Sequence, residues 1–329
     1  MDCILGIDTS NYTTSLAAVD AATTQLITHV RRVLPVNQGE RGLRQADALF
    51  LHVDAFPGLL QQLICQIREL TGEEPNWRGL GVSVKPRPMA NSYMPVFRAG
   101  EKFAETLSTI LRAPLVKTSH QEGHLAAALI FDVQKIESRP FVAVHLSGGT
   151  SDVLLASKTR FGYAVHASWE GSDLHAGQFV DRVGVALGLP FPAGRHLEAL
   201  AQSKGTDYPA YSLPVRVKQG QMSFSGPCAA ALRLVERGVE PAFIARSVEA
   251  CIATGVIKAV MYATSANGDD TSVTDCVIAG GVAANEWIRA RIVHRLHIAR
   301  PQVRVFFAPV EFSSDNALGV AVIAARYFN

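Results

Sequence analysis

Apolar and polar positions divide the chain into short strands and longer helices. Residues 3–7 form an apolar run, residues 8–11 a small polar turn and residues 14–19 a second apolar run, which is the pattern of a hairpin. Residues 31–45 are polar and basic, contain Pro35 and Gly39, and read as a loop. Leu49, Val53, Phe56, Leu60, Leu63 and Ile67 recur near a 3.6 period and predict a helix over 46–70, which Pro57 should kink or restart. A short apolar segment at 80–84 leads into the turn Lys85-Pro86-Arg87-Pro88. A helix over 96–111, a short strand at 115–116, a histidine-bearing helix over 120–130 and a connector over 136–140 follow.

A second hairpin then repeats the first: an apolar run at 141–146, the turn Ser147-Gly148-Gly149-Thr150 and a strand at 152–155. The repeat, roughly 140 residues from the first, is too distant for a solenoid and suggests two similar halves. Helical patterns follow at 174–188, 195–204, 228–237 and 241–266. A buried strand at 276–279 runs into Gly280-Gly281 and a helix over 284–296. A strand at 303–307 precedes a last helix, expected to start at Ser314-Asp315 and to carry Leu318, Val322 and Ala325. Strands alternating with helices predict an α/β fold.

Composition narrows the classes. The 329 residues are 48% hydrophobic and 18% charged, which excludes a disordered tail. No run approaches the roughly 18 consecutive apolar residues of a membrane helix, and the opening residues do not read as a signal peptide. A net charge of +2 neither demands nor excludes a nucleic acid. The five cysteines, Cys3, Cys65, Cys228, Cys251 and Cys276, are odd in number and scattered, which predicts free thiols in a cytoplasmic protein.

The sharpest chemical signal is His120-Gln121-Glu122-Gly123-His124. Histidines four apart on a helix lie about 40° apart, so both imidazoles can reach one metal, although solvated or capping pairs share that spacing. Glu122 lies about 200° round from His120, which argues against a metallopeptidase. Asp315 is the best distant third ligand, with helix capping as its plain alternative. Two histidines and a carboxylate would suit iron or zinc and leave positions open for a substrate. The turns at 147–150 and 280–281 let backbone N–H groups approach an anion, and with the Asp8 turn they outline a nucleotide cleft. Asp173, Gly177, Asp181, Pro192 and Gly194 gather around one predicted helix, where Asp181 can either cap or bind substrate hydroxyls. Basic residues cluster at Arg31, Arg32, Arg41 and Arg44, at Lys85, Arg87, Arg98 and Lys102, and at Arg289, Arg291, Arg295 and Arg300. No aromatic interleaving supports base stacking.

These segments together resemble a known family: G-I-D-T-S at 6–10, H-Q-E-G-H at 120–124, L-S-G-G at 146–149 and G-Q-F-V-D-R-V at 177–183. So do L-G-L-P-F-P-A-G at 187–194, S-F-S-G at 223–226, G-G-V-A-A-N at 280–285 and S-D-N-A at 314–317. In this order they look like the TsaD family, the catalytic subunits of tRNA threonylcarbamoyladenosine synthesis, once described as glycoproteases. The resemblance implies an actin/hexokinase/Hsp70-like two-lobe fold with duplicated RNase H-like halves. Residues 1–130 would form one lobe, with the helix over 315–327 packing back on it, and residues 131–314 the other. It implies one divalent metal on His120, His124 and Asp315. His145, Leu146, Ser147, Gly148, Gly149, Asp181, Gly194 and Asn285 would bind the adenylate, and Asp8 would be the opening catalytic acid. The donor would be threonylcarbamoyl-adenylate and the acceptor a tRNA adenosine, with partner subunits, one of them a related paralogue.

The chain departs from the family pattern at several places. Asn11, Tyr12, Thr13 and Thr14 stand where acidic residues follow the opening motif, and Asp8 replaces a glutamate. Lys85-Pro86-Arg87-Pro88 replaces a G-P-G-L turn. Pro227-Cys228 replaces the leucine and lysine after S-F-S-G, and the G-E-A-F-D-K helix reads G-Q-F-V-D-R. The pattern fits a diverged paralogue. It leaves open a transferase of this family, transfer of the group to another acceptor, and a nucleotide- and metal-binding partner subunit without transfer. A phosphotransferase and a peptidase fit less well.

Overall fold

The computed structural model describes residues 1–10, 12–36, 43–89, 91–130, 136, 140–171, 173–205, 209–265 and 273–329. Asn11, Arg41 and most of the 136–140 connector lie outside the described residues. The chain first forms β1 (Asp2–Ser10), β2 (Thr13–Asp20), β3 (Leu26–Val33), α1 (Gln45–Thr71), β4 (Asn76–Lys85), α2 (Phe97–Leu111), β5 (Leu115–Ser119) and α3 (His120–Ala128). It continues through β6 (Phe141–Leu146), β7 (Ser151–Lys158), β8 (Tyr163–Trp169), α4 (Ala176–Ala186) and α5 (Gly194–Gln202). Then come β9 (Arg216–Lys218), β10 (Gln221–Ser223), α6 (Ser225–Glu236), α7 (Pro241–Ser265), β11 (Asp275–Ala279), α8 (Glu286–Ala299), β12 (Arg304–Phe307), α9 (Val310–Ser313) and α10 (Leu318–Phe328).

Two five-stranded sheets share one topology. The first runs β3-β2-β1-β4-β5 and the second, read in the same sense, β8-β7-β6-β11-β12. In each, a three-stranded antiparallel meander is followed by two parallel strands. Parallel neighbours require helical crossovers, which explains the alternation of strands and helices. The fold is therefore the α/β two-lobe architecture with duplicated halves.

Several elements differ from the sequence reading. Residues 31–33 continue β3, pairing with Thr13, Thr14 and Ser15 of β2. Exposed Arg31 and Arg32 lie on this edge strand, where charge discourages further pairing. Pro57 does not break α1: it lies on the exposed face, where the missing N–H is least costly. β8, β9 and β10 were not predicted, and α6 starts at Ser225 rather than 228.

α1 is long and apolar enough to cross a membrane by length and composition, with 33% of its most apolar stretch buried. Its inward row, Ala55, Phe56, Leu59, Leu63 and Ile67, packs with Leu5, Ile7 and Leu16 of the first sheet.

α10 returns to the first sheet, joining Ile4, Ala17 and Val19 in one apolar cluster. Small residues permit this approach. A Cβ on Gly6 would stand 2.4 Å from the Ala317 carbonyl oxygen, and one on Gly319 would stand 1.8 Å from that of Gly123 in α3. Gly319 thus lets the last helix press against the histidine helix at Gly123.

Candidate metal centre and adenylate cleft

The start of α3 is fixed by a capping box. Ser119 Oγ accepts from the Glu122 N–H at 3.3 Å, and Glu122 Oε2 accepts from the Ser119 N–H at 3.0 Å and its hydroxyl at 2.6 Å. The cap turns Glu122 away from the histidines, in line with the argument against a peptidase. His120 and His124 share the opposite face, with Nε2 atoms 3.0 Å apart.

Asp315 closes the group, its Oδ1 lying 3.5 Å from His120 Nε2 and 3.4 Å from His124 Nε2. The last helix does not open at Asp315. It starts at Leu318, and Asn316 makes the local bonds: its Oδ1 accepts from the Leu318 N–H, and its Nδ2 donates to the carbonyls of Phe312 and Ser314. Relieved of capping, the Asp315 carboxylate turns to the histidines. Burial opposes its charge, but the two imidazoles hold it well below the carboxylate range.

Asp8, expected as the opening catalytic acid, stands near the end of β1. It is fully buried and accepts hydrogen bonds from Ser10, Ser83 and, at 3.0 Å, His120 Nδ1. Holding Nδ1–H leaves Nε2 facing the centre, so Asp8 positions His120. Burial disfavours a charged His120, but Asp8 and Asp315 outweigh it and push the group up to about 10. Burial and then the neighbouring His120 charge lower His124.

His145, expected with the adenylate turn, points instead to the histidine pair. One ligand atom from each of His120, His124 and His145 falls within 4.8 Å of the others. Burial, followed by the neighbouring His124 and His120, lowers His145 well below 6.5 and keeps it neutral.

These donors fit a divalent ion. Ligands about 2.1 Å from a shared ion stand roughly 3.0–3.4 Å apart when adjacent, close to the 3.0–3.5 Å seen among His120, His124 and Asp315. The donor set of imidazole and carboxylate suits iron or zinc.

The remaining predicted residues line the second half. Ser147 N donates to the Thr150 carbonyl at 2.8 Å, and the Gly177 N–H to the Ser147 carbonyl at 3.1 Å. Gly280 has φ +103°, and a Cβ there would stand 2.2 Å from the Leu146 carbonyl oxygen, so only glycine lets the two turns meet. Gly148 and Gly149 complete the first of these turns, with Gly149 exposed. Asp181 Oδ1 accepts from the Ala193 N–H at 2.8 Å, and burial raises its pKa. Gly194 opens α5, and a Cβ there would meet nothing within 4 Å.

Asn285 is committed at both ends. Its Oδ1 caps α8 through the Ile288 N–H, and its Nδ2 donates to Glu249 Oε1 at 2.7 Å. Behind it, wholly buried Arg246 pairs with Glu249 at 2.5 Å and lies over the Trp287 ring at 4.6 Å.

The sequence reading missed two features. It counted Arg87 as a basic residue in a proline-rich turn, yet Arg87 Nε donates to fully buried Asp152 Oδ2 at 2.8 Å, tying the turn after β4 to β7. Asp152 is the register partner of His145, a pairing that follows once the second hairpin is aligned. Cys228, standing where the family pattern has lysine, lies in the apolar core of the second half. Among the basic groups, Arg98, Lys102 and Lys117 are paired with Glu101 or Glu105.

Comparison with known proteins places this geometry. A family model described as tRNA N6-adenosine threonylcarbamoyltransferase, TsaD, matches residues 94–322. Proteins of that name from Thermus thermophilus and Enterococcus faecalis are 28% and 26% identical, covering 98% and 99% of this chain and 92% and 89% of those proteins. Component A of (R)-2-hydroxyglutaryl-CoA dehydratase from Acidaminococcus fermentans superposes with a TM-score of 0.59 at 14% identity, covering 100% of this chain and 99% of that one. A ROK family glucokinase from Streptomyces griseus gives 0.54 at 11% identity, over 98% and 99%. These two share the fold.

Proposed function

The chain belongs to the tRNA N6-adenosine threonylcarbamoyltransferase family, TsaD, and on that footing we propose that it transfers a threonylcarbamoyl-type group from an adenylate donor to a tRNA adenosine. One observation carries the reading: His120, His124 and Asp315 meet within 3.5 Å although they come from segments almost 200 residues apart. In this reading the two lobes are residues 1–130 with the last helix, and residues 131–314.

His120, His124 and Asp315 would hold one divalent ion, which when bound supplies a Lewis acid for the carbonyl under attack. The chain does the rest. Asp8 keeps His120 in register. The Gly148 N–H and the backbone N–H groups at the 280–281 turn face the phosphate and the charge that develops there, while the N–H groups of Ser147 and Gly149 hold the turn itself together. Asp181 and the Gly194 opening receive the ribose. Asn285, with one amide hydrogen left after its bond to Glu249, faces the base. The adenosine amine attacks the carbonyl carbon and forms the N–C bond, the C–O bond to the phosphate breaks with its electron pair going to AMP, and the proton lost by the amine passes to solvent.

The test is incubation of the purified protein with threonylcarbamoyl-adenylate and unmodified tRNA, with and without partner subunits. Modified adenosine is expected. Its absence under every condition would favour a second reading, a nucleotide- and metal-binding partner subunit without transfer. Burial of Cys228 where the family pattern has lysine favours that alternative. Metal analysis of His120→Ala against wild type should show loss of a near-stoichiometric ion.

A further inference from the structure

Alternation along β6 divides its residues between two faces. Val142, Val144 and Leu146 face the core of the second half, whereas Phe141 and Ala143 pack against Leu125, Ala126 and Leu129 on or next to α3. His145 continues the row of Phe141 and Ala143. It is 4% exposed, and neither ring nitrogen has a hydrogen-bond partner among the described residues. Buried polar atoms nearly always find partners, so a buried imidazole lacking both is a group shaped for something absent. Its ring centre lies 4.3 Å from that of His124 and 5.9 Å from that of His120.

We propose that His145 is a fourth protein donor, so that the chain holds its ion with three imidazoles and one carboxylate. The proposal rests on the metal-centre reading above and goes beyond it, because a fourth donor changes what each ion can do. Zinc is satisfied by four protein ligands, and a site so filled is closed. An ion that takes six donors, such as iron(II), keeps two positions for a substrate oxygen or water. The chain would thus bind zinc firmly yet leave it no open position, while a six-coordinate ion stays accessible. The ligands also come from α3, from β6 and from the turn before α10, so the ion joins the halves.

The experiment is zinc titration of the metal-free full chain carrying nitrogen-15 histidine, followed by nuclear magnetic resonance of the ring nitrogens. Three imidazoles with a zinc-shifted nitrogen are expected in the wild type. Two are expected in His145→Ala, with zinc affinity at least about tenfold weaker by calorimetry. Two shifted imidazoles in the wild type would overturn the proposal while leaving the two-histidine centre standing. No zinc uptake would overturn both. The wild-type count needs no variant to fold.

Discussion

The two hairpins at the heart of the halves share one topology and make opposite use of it. The end of β1 is buried and invests side chains: Asp8 gathers Ser10, Ser83 and His120. The turn after β6 invests backbone: Ser147 to Thr150 bond among themselves and leave Gly149 at the surface. In the proposed reading one half thus holds ligands in place, while the other offers the Gly148 N–H to an anion. Duplication supplies the scaffold, and the few residues at each turn decide which chemistry it carries.

The joint between the halves offers the sharpest break. Arg87→Ala strands the buried Asp152 carboxylate and should destabilise the protein by about 3–5 kcal/mol in denaturant unfolding. Adding Asp152→Asn should recover part of that loss.

Two glycine variants should then separate the halves. Gly319→Ala forces α10 off α3 and should cost about 3 kcal/mol together with the bound metal, because Asp315 moves with the helix. Gly280→Ala strains the other turn and should cost about 2 kcal/mol, weakening AMP binding while metal content stays intact. If both variants lost the same ligand, the division of labour between the turns would be wrong.

Asp8→Asn should weaken metal binding by about 10–100-fold in calorimetry, with AMP affinity unchanged.

The smallest effect is a pH slope. Burial, only partly offset by Asn285 and Arg246, raises Glu249 from 4.5 to about 7. The native state therefore holds this proton more tightly than the unfolded chain, and the group's contribution to stability falls as pH rises from 4.5 to about 7. Glu249→Gln should flatten that part of the melting-temperature profile.

Legibility in the sequence followed the strength of the local signal. Both hairpins were readable because apolar runs flank small polar turns. β8 was not, because its residues are half-buried and mixed in polarity. The histidine pair was visible as a helical spacing and Asp315 as a distant carboxylate. That Asn316 would make the local bonds of the turn instead follows only from the path between α9 and α10. His145 looked like part of an anion turn because the face of β6 that meets α3 depends on packing between the halves. Arg87 was opaque for the same reason: its partner lies across the joint.

The path of the backbone constrains motion. The chain passes from the first sheet to the second between α3 and β6, and returns between β12 and α10. Two covalent passages act like the two pins of a door, and a line through them is the natural pivot. His124 and Asp315 stand beside those pins, so swinging the halves should leave the ion's surroundings nearly still while the far rim travels. Small-angle scattering should accordingly change when AMP is added to the metal-loaded chain, with the ion's absorption spectrum unmoved.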